Sequence, residues 1–417
     1  MKKNNRKQRK GEKEKVNKIS DVKMAYIMYG KKAFIVPIVV MVILGAIIWG
    51  VVHNVRKNNA PQETADNQKE QVNYIRGEIK PGKKNANNYT MVTSSDGVQV
   101  PVPTGYTASS ASDENSVNGG FVIYEGTEAV TDSNKWEAQC NRNQYVWIPI
   151  AEVSDMYWRD QTTGKKYGTT YTFKSSSYSK SSSNKQEPQT TSSDIQSTYL
   201  TQYLNGMSRE DFLMEMEIDF DKMLNSVATY GGFYIGRYET GDLSQATPVI
   251  KRINTDIANQ TWYKMWKKAR KLSGTSAGVQ MIWGIQWDET LKWLIASGEK
   301  TYYEVGSDST SWGNYYDNSF TYYTDTSKNM ATKALTNSTR IPSGAYEGAN
   351  ANNVYDLAGN IRDWTLESDG SGIDNFRYVR GGCCGEPGYS YYAANRRYYL
   401  PYSIDNTIGL RCSLFIK

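Results

Sequence analysis

The run from Ala33 to Val52 (AFIVPIVVMVILGAIIWGVV) holds twenty residues and no charge. As a helix it spans about 30 Å, the thickness of a bilayer's hydrocarbon core. A core helix of this length would carry polar residues along one side, and this one carries none. Pro37 falls in the first turns, where fewer backbone donors need a partner. A cleaved signal peptide fits less well. The apolar run is too long, the basic segment before it too extended, and no small-x-small site follows closely. One transmembrane helix over 33–52 is expected.

Charge sets its orientation. Residues 1–32 contain twelve Lys or Arg against Glu12, Glu14 and Asp21, whereas only Arg56 and Lys57 lie close beyond the run. The basic tail is therefore expected in the cytoplasm, with the C-terminal domain outside the cell at the cell surface. The formal net charge is +6, and the tail alone carries +9, which leaves −3 for the rest. That balance argues against a nucleic-acid surface in the folded part. The membrane is the partner of residues 33–52, and anionic lipid suits the tail.

Some 365 residues follow the apolar run, enough for a large core. The only histidine is His53, beside the membrane, so Ser-His-Asp and Cys-His catalysis and histidine metal sites are excluded from the folded domain. The cysteines are Cys140, Cys383, Cys384 and Cys412, with no C-x-x-C spacing, which argues against zinc. Outside the cell a Cys140–Cys412 disulfide is open to the chain. Thirty-two tyrosines supply rigid, amphipathic contact area of the kind recognition surfaces use.

Residues 53–95 are mostly polar and read as a stalk, and 96–417 as one domain. Strands are expected at 97–103, 120–124 and 144–150. Residues 160–203 are dominated by Ser, Thr, Tyr and Lys and read as a polar, low-complexity surface insertion or disordered loop. From Arg209 to Tyr230 apolar residues recur at helical spacing after Ser208, an N-cap residue. A strand over 232–239 and helices over 259–272 and 285–297 follow, with Trp262, Trp266, Trp287, Leu291 and Leu294 inward. Residues 301–340 read mostly as loop, and strands return at 376–380 and 408–416. The mixture predicts an α+β fold rich in loop.

Five short motifs occur in order: FYIGRYETG (233–241), NVYDLAGNIRDWT (353–365), RYVRGG (377–382), NRRYYLP (395–401) and IGLRC (408–412). Together they resemble the signature of the formylglycine-generating enzyme (sulfatase-modifying factor) family. The resemblance implies its fold, a loop-rich, C-type lectin-like α+β domain. Within it Tyr355, Gly359, Trp364, Arg380, Gly381, Gly382, Arg396 and Arg411 have scaffold character. The glycines suit positive φ or close approach, the aromatics fill core, and the arginines suit loop carbonyls.

Members of that family oxidise a substrate cysteine with copper held by two cysteines, four and nine residues beyond the Gly-Gly. Here those positions are Glu386 and Tyr391. Cys383 and Cys384 adjoin each other, and neighbouring thiols cannot both face one metal without distorting the peptide between them. A binding protein is therefore expected, with an oxidoreductase or other enzyme of the same fold as the alternative. For the alternative, Asp356, Asp363 and Glu367 are the carboxylates a metal or general base would use. The resemblance is also compatible with structural Ca2+, which oxygen-rich loops suit, although no ligand set follows.

Residues 383–407 (CCGEPGYSYYAANRRYYLPYSIDNT) resemble the variable segment of proteins diversified by retroelements, which lies between R-G-G and I-G-F-R. Mutating the adenines of AAC codons yields Tyr, Ser, Cys, Asp, Ile, Thr or Gly, but never Glu, Lys, Met, Gln or Trp. In this window only Glu386 belongs to the unreachable set. Tyr389, Ser390, Tyr391, Tyr392, Asn395, Tyr398, Tyr399, Tyr402, Ser403, Asp405 and Asn406 are the candidate contacts for an external protein or glycan.

Overall fold

Ser208 opens the longest helix of the described chain. Its hydroxyl accepts from the amide of Asp211, satisfying a donor that a helix start leaves bare. Phe212, Met216, Phe220, Met223 and Val227 then recur at helical spacing and are buried. Gly231, at φ +82°, ends the helix in a left-handed cap, so its bounds are Arg209–Tyr230.

This computed structural model describes residues 79–185, 187–188, 197–368 and 376–417, all within one compact unit, Glu70–Lys417. The expected tail 1–32, transmembrane helix 33–52 and stalk residues 53–78 lie outside the described residues. Among those described, no helix is long and apolar enough to cross a membrane.

The chain begins with a hairpin of β1 (Tyr89–Thr93) and β2 (Gln99–Pro103), then β3 (Tyr106–Ala108), β4 (Val122–Glu125), helix α1 (Lys135–Asn141) and β5 (Gln144–Pro149). Two hairpins, β6 (Tyr157–Arg159) with β7 (Lys166–Gly168) and β8 (Thr170–Phe173) with β9 (Tyr178–Ser181), precede α2 (Ser197–Tyr203). The long helix is α3, and Gly231 leads it into β10 (Gly232–Gly236). Next come α4 (Trp262–Ala269), β11 (Ala277–Met281), α5 (Gly284–Ala296) and α6 (Tyr302–Gly306). Hairpins β12 (Phe320–Tyr323) with β13 (Met330–Lys333) and β14 (Asn350–Ala351) with β15 (Val354–Tyr355) follow. The chain closes with β16 (Arg362–Ser368), β17 (Arg377–Arg380), β18 (Arg396–Tyr399), β19 (Ile408–Leu410) and β20 (Cys412–Ile416).

Six strands, in the order β11-β20-β10-β5-β4-β3, make an antiparallel sheet. Four more, β18-β17-β16-β19, make a second, in which β16 and β19 run parallel. The result is a mixed α+β fold with long irregular connections. Trp262, Trp266, Trp283, Trp287 and Trp364 lie fully inside. Only Arg411 separates β19 from β20, so one buried residue carries the chain from one sheet to the other. Its guanidinium donates to Asp363 at 2.9 Å, to the Gly236 carbonyl at 2.9 Å and to the Tyr355 carbonyl at 2.8 Å. Gly359 (φ +73°) and Gly382 (φ +71°) are required as glycine. A side chain there would collide with the backbone of Asn314 or Tyr391.

Several expectations change. The stretch read as stalk up to residue 95 contains β1, paired along its length with β2, and Tyr89 packs on Tyr230 at 5.2 Å. The segment 160–203 is built into the domain where it is described. Tyr167, Tyr171 and Phe173 are buried, and Lys166 pairs with Asp221 at 2.8 Å out of solvent. Its polar composition conceals this because tyrosines, not aliphatics, supply the apolar surface. Residues 301–340 hold α6 and the β12–β13 hairpin. Cys140 and Cys412 are free thiols rather than a disulfide, and Cys412 receives the Thr240 hydroxyl at 3.4 Å.

Arg411→Leu leaves the carboxylate of Asp363 buried without its partner, so a loss of about 3–5 kcal/mol is expected in urea denaturation. A loss below about 1 kcal/mol would show that the junction does not depend on this ion pair.

Candidate functional site

The Gly381-Gly382 turn delivers the chain from β17 into the segment of interest, and a buried tyrosine holds it there. The Tyr315 hydroxyl lies 2.7 Å from the Gly381 carbonyl and 2.8 Å from that of Tyr391. Ala393 is fixed from both sides, its amide by Ser309 Oγ at 2.9 Å and its carbonyl by Trp287 Nε1 at 3.0 Å. The loop is thus pinned at its ends, and its crown faces water.

The candidate residues divide. Tyr389 and Tyr398 are 61% and 54% exposed, and Ser390 and Asn406 are exposed with them. Tyr391, Tyr392, Asn395, Tyr399, Tyr402, Ser403 and Asp405 are half-buried. Tyr392 and Tyr399 pack against the main core, and Tyr399 meets Trp364 edge-on at 6.3 Å. Tyr402 stacks on Tyr199 of α2 at 4.4 Å, which ties the segment to the region read as an insertion. Asn395 donates to the Ser390 carbonyl at 3.3 Å. Asp405 caps Thr407 at 2.7 Å, the Ser403 amide closes a turn on Leu400, and the Asn406 carbonyl receives Arg340 at 2.6 Å. Beside Tyr398 lie Phe376 at 5.0 Å and Tyr378 at 6.2 Å, neither singled out from sequence. The guanidinium of Arg397, also missed, sits 5.4 Å from the Tyr391 ring and 5.5 Å from that of Tyr399.

Glu386, where the resemblance places a metal-holding cysteine, is 7% exposed. It pairs with Arg362 at 2.5 Å and Arg397 at 2.8 Å. Cys383 and Cys384 are buried, and burial pushes their thiols up to about 12 and about 11. The Cys384 thiol donates to the Ser338 carbonyl at 3.2 Å. The Cys384 proton is engaged by that carbonyl, and neighbouring thiols cannot both face one metal without distorting the peptide between them. The residues present therefore do not fit a copper centre. Among the described residues no three His, Cys, Asp or Glu side chains come together to hold a metal.

The carboxylates weighed for an enzyme do not form one site. Asp363 is bound to Arg411, and Asp356 accepts from the Gly344 amide at 2.6 Å. Burial pushes both up to about 6. Glu367 belongs to a separate cluster beneath β18. There Arg380 meets Asp288 at 2.6 Å, Arg396 meets Glu367 at 3.1 Å, and Arg396 also pairs with Asp288. Arg396 further holds the Tyr171 carbonyl at 2.7 Å.

Glu187, from the region read as an insertion, completes this cluster. Its oxygens accept from the Gly284 and Ile285 amides at the start of α5, each at 2.7 Å. Nothing in the sequence marked it, since a lone Glu in a polar stretch looks solvated. Burial and then the neighbouring charge of Glu367 push its carboxyl up to about 8, against the pull of the two amides.

Two expectations follow. A carboxyl raised in the folded state stabilises the fold at low pH. That contribution declines from the ordinary Glu value near 4.5 until the pH passes the folded value near 8. The unfolding free energy from urea denaturation should therefore fall from pH 7 to 8 at up to about 1.4 kcal/mol per pH unit, and Glu187→Gln should reduce that slope. An unchanged slope would remove Glu187 as its source. Separately, the wild-type domain and a Cys383→Ser, Cys384→Ser variant, dialysed after Cu(I) loading, should retain equal copper, well below one ion per chain. Stoichiometric uptake by the wild type alone would overturn the misfit.

The family described as Sulfatase-modifying factor enzyme 1-like domain matches residues 99–414. Among solved structures, that of CarF is 15% identical with TM-score 0.28, over 45% of this chain and 87% of its own. Variable protein 1 of Treponema denticola is 13% identical with TM-score 0.28, over 44% and 84%. PvdO from Pseudomonas aeruginosa is 18% identical with TM-score 0.26, over 45% and 81%. No curated protein matches the chain.

Proposed function

Given that the chain belongs to the sulfatase-modifying factor enzyme 1-like family, we propose that it uses that loop-rich scaffold for ligand binding instead of cysteine oxidation. The observation that carries this reading is the replacement at the family's metal position. A carboxylate clamped by two arginines stands where a thiolate pair would be needed, and the loop above it turns Tyr389, Ser390 and Tyr398 outward. Rigid rings beside an exposed guanidinium bind at low entropic cost.

On this reading the contact surface is narrower than the whole 383–407 window. Tyr389, Ser390, Arg397 and Tyr398 form its centre, with Tyr391 and Asn406 at the edge, whereas Tyr392 and Tyr399 support it from beneath. The apolar run 33–52 would hold the domain outside the cell, and the ligand would be an external protein or glycan. Diversification by a retroelement fits the exposed positions of 383–407, which are Tyr389, Ser390, Tyr398, Asn406, Gly385 and Ile404, with Arg397 the exception. It fits Cys383 and Cys384 less well, because buried positions gain nothing from variation. A near-copy of the coding segment beside a reverse-transcriptase gene, differing at adenines, is the expected genomic sign.

The test is a screen of the wild-type protein on a glycan array and on immobilised bacterial surface proteins. Whatever ligand it retains should lose about tenfold or more in affinity on Tyr398→Ala or Tyr389→Ala, with the urea midpoint unchanged. Tyr399→Ala, which removes a ring from Trp364, should instead cost about 1–3 kcal/mol of stability. Full affinity in a Tyr389→Ala, Arg397→Ala, Tyr398→Ala triple variant would sink the proposed face.

A further inference from the structure

Outside the tyrosine face, Lys166 at the start of β7 and Asp221 on α3 meet inside the protein. The Lys166 nitrogen lies 2.9 Å and 2.8 Å from the two oxygens of Asp221, and the residues are 4% and 2% exposed. Fifty-five positions of sequence separate them. One helical turn before Asp221, Glu217 is also buried, with one oxygen held by Lys165 at 2.6 Å. A small cavity of about 10 Å³, room for about one water molecule, is lined by Lys165, Lys166, Pro188, Glu217, Phe220 and Asp221.

A Lys–Asp pair at the surface stays charged. Here burial works against both charges. It lowers the Lys166 ammonium from its ordinary value and raises the Asp221 carboxyl to about 6, each against the attraction of the other. Glu217 adds to the rise at Asp221, whereas Arg159, opposite Lys166 in the β6–β7 register, lowers both groups. A neutral amine and a neutral carboxylic acid are the forms that condense to an amide. Held in contact, away from bulk water and with a further carboxyl one turn away, they have little left to organise.

We propose that Lys166 and Asp221 join in an intramolecular isopeptide bond, with Glu217 relaying the proton. The neutral Nζ attacks Cγ of the protonated Asp221 carboxyl, so an Nζ–Cγ bond forms and one Cγ–O bond breaks. Glu217 accepts a proton from the nitrogen and returns one to the departing hydroxyl, which leaves as water. Nothing is oxidised or reduced, and no co-reactant is needed. The product is a neutral amide that removes two buried charges and ties β7 to α3, closing a loop that holds β8, β9 and α2. The bond shares no residue with the tyrosine face and stands or falls independently of it.

The full chain, purified in detergent, is read by intact mass spectrometry and then digested with trypsin. The expected mass is lower than that of the sequence by one water, and the expected digest contains residues 166–174 joined to 210–222 as one branched peptide. Lys166→Arg keeps a cation beside Asp221, but a guanidinium stays protonated and does not attack, so its mass should be unreduced. Glu217→Gln, which keeps the side chain's size without its proton exchange, should also show the unreduced mass. The wild-type reading needs no variant to fold. An unreduced wild-type mass would overturn the proposal, as would a water lost without the branched peptide, the mark of a succinimide at an aspartate. A branched peptide retained in Glu217→Gln would overturn the relay.

Discussion

Arg411 is the residue on which the two sheets depend. It is the whole connection between β19 and β20, it has no exposed surface, and its guanidinium reaches β16 through Asp363 and the ends of β10 and β15 through the Gly236 and Tyr355 carbonyls. A chain with this much non-repetitive structure leaves many carbonyls without a ladder partner, and buried carbonyls without partners are costly. A guanidinium offers five donors in a rigid fork, so one side chain satisfies several such groups while neutralising a carboxylate. Arg237 repeats the device, bridging Glu114, Asn353 and Tyr124 across more than a hundred residues of sequence. The fold is therefore held by aromatic packing and a few buried cations, each paired with a carboxylate.

The same device connects scaffold to surface. Arg380 and Arg396 bracket Asp288 and Glu367 beneath β18, and Arg396 is the first residue of that strand. Because β18 lies at the edge of its sheet, its position rests on one neighbour, β17, and on this ionic cluster. Glu187 adds a third carboxylate from a distant segment, while Tyr171 of β8 receives Arg396 and Tyr199 of α2 receives Tyr402. The region between β5 and α3 therefore buttresses the tyrosine face. On the proposed reading, rigidity beneath the exposed tyrosines would lower the entropy lost on binding.

Much of this was legible in the chain. The helix Arg209–Tyr230 followed from Ser208, the apolar spacing and Gly231-Gly232. The inward tryptophans of α4 and α5 followed from period alone, and the family's motifs identified the scaffold. The division among tyrosines was only half legible. Tyr398 and Tyr399 are neighbours on a strand, where successive side chains point to opposite faces, so both could not be ligand contacts. Alternation would have separated them, had 396–399 been read as a strand and not as loop. Glu187, Asp288 and Glu114 left no such signal, since their charged partners Glu367, Arg380 and Arg237 lie about 90 to 180 residues away along the chain.

On the proposed reading, Glu386 stands where the family resemblance places a metal-holding cysteine, and its surroundings fit a carboxylate there. A glutamate placed beneath this loop without cations would be a buried, unpaired charge, which a fold does not tolerate cheaply. Arg362, on β16, and Arg397, on β18, both reach Glu386, so the exchange of thiol for carboxylate is matched on two different strands. The pairing also fixes where Arg397 sits, and its position between the rings of Tyr391 and Tyr399 gives the loop crown a held guanidinium. One arrangement thus accounts for both the buried carboxylate and the charged aromatic surface above it. Glu386 is thus the carboxylate that positions the outward-facing guanidinium of Arg397.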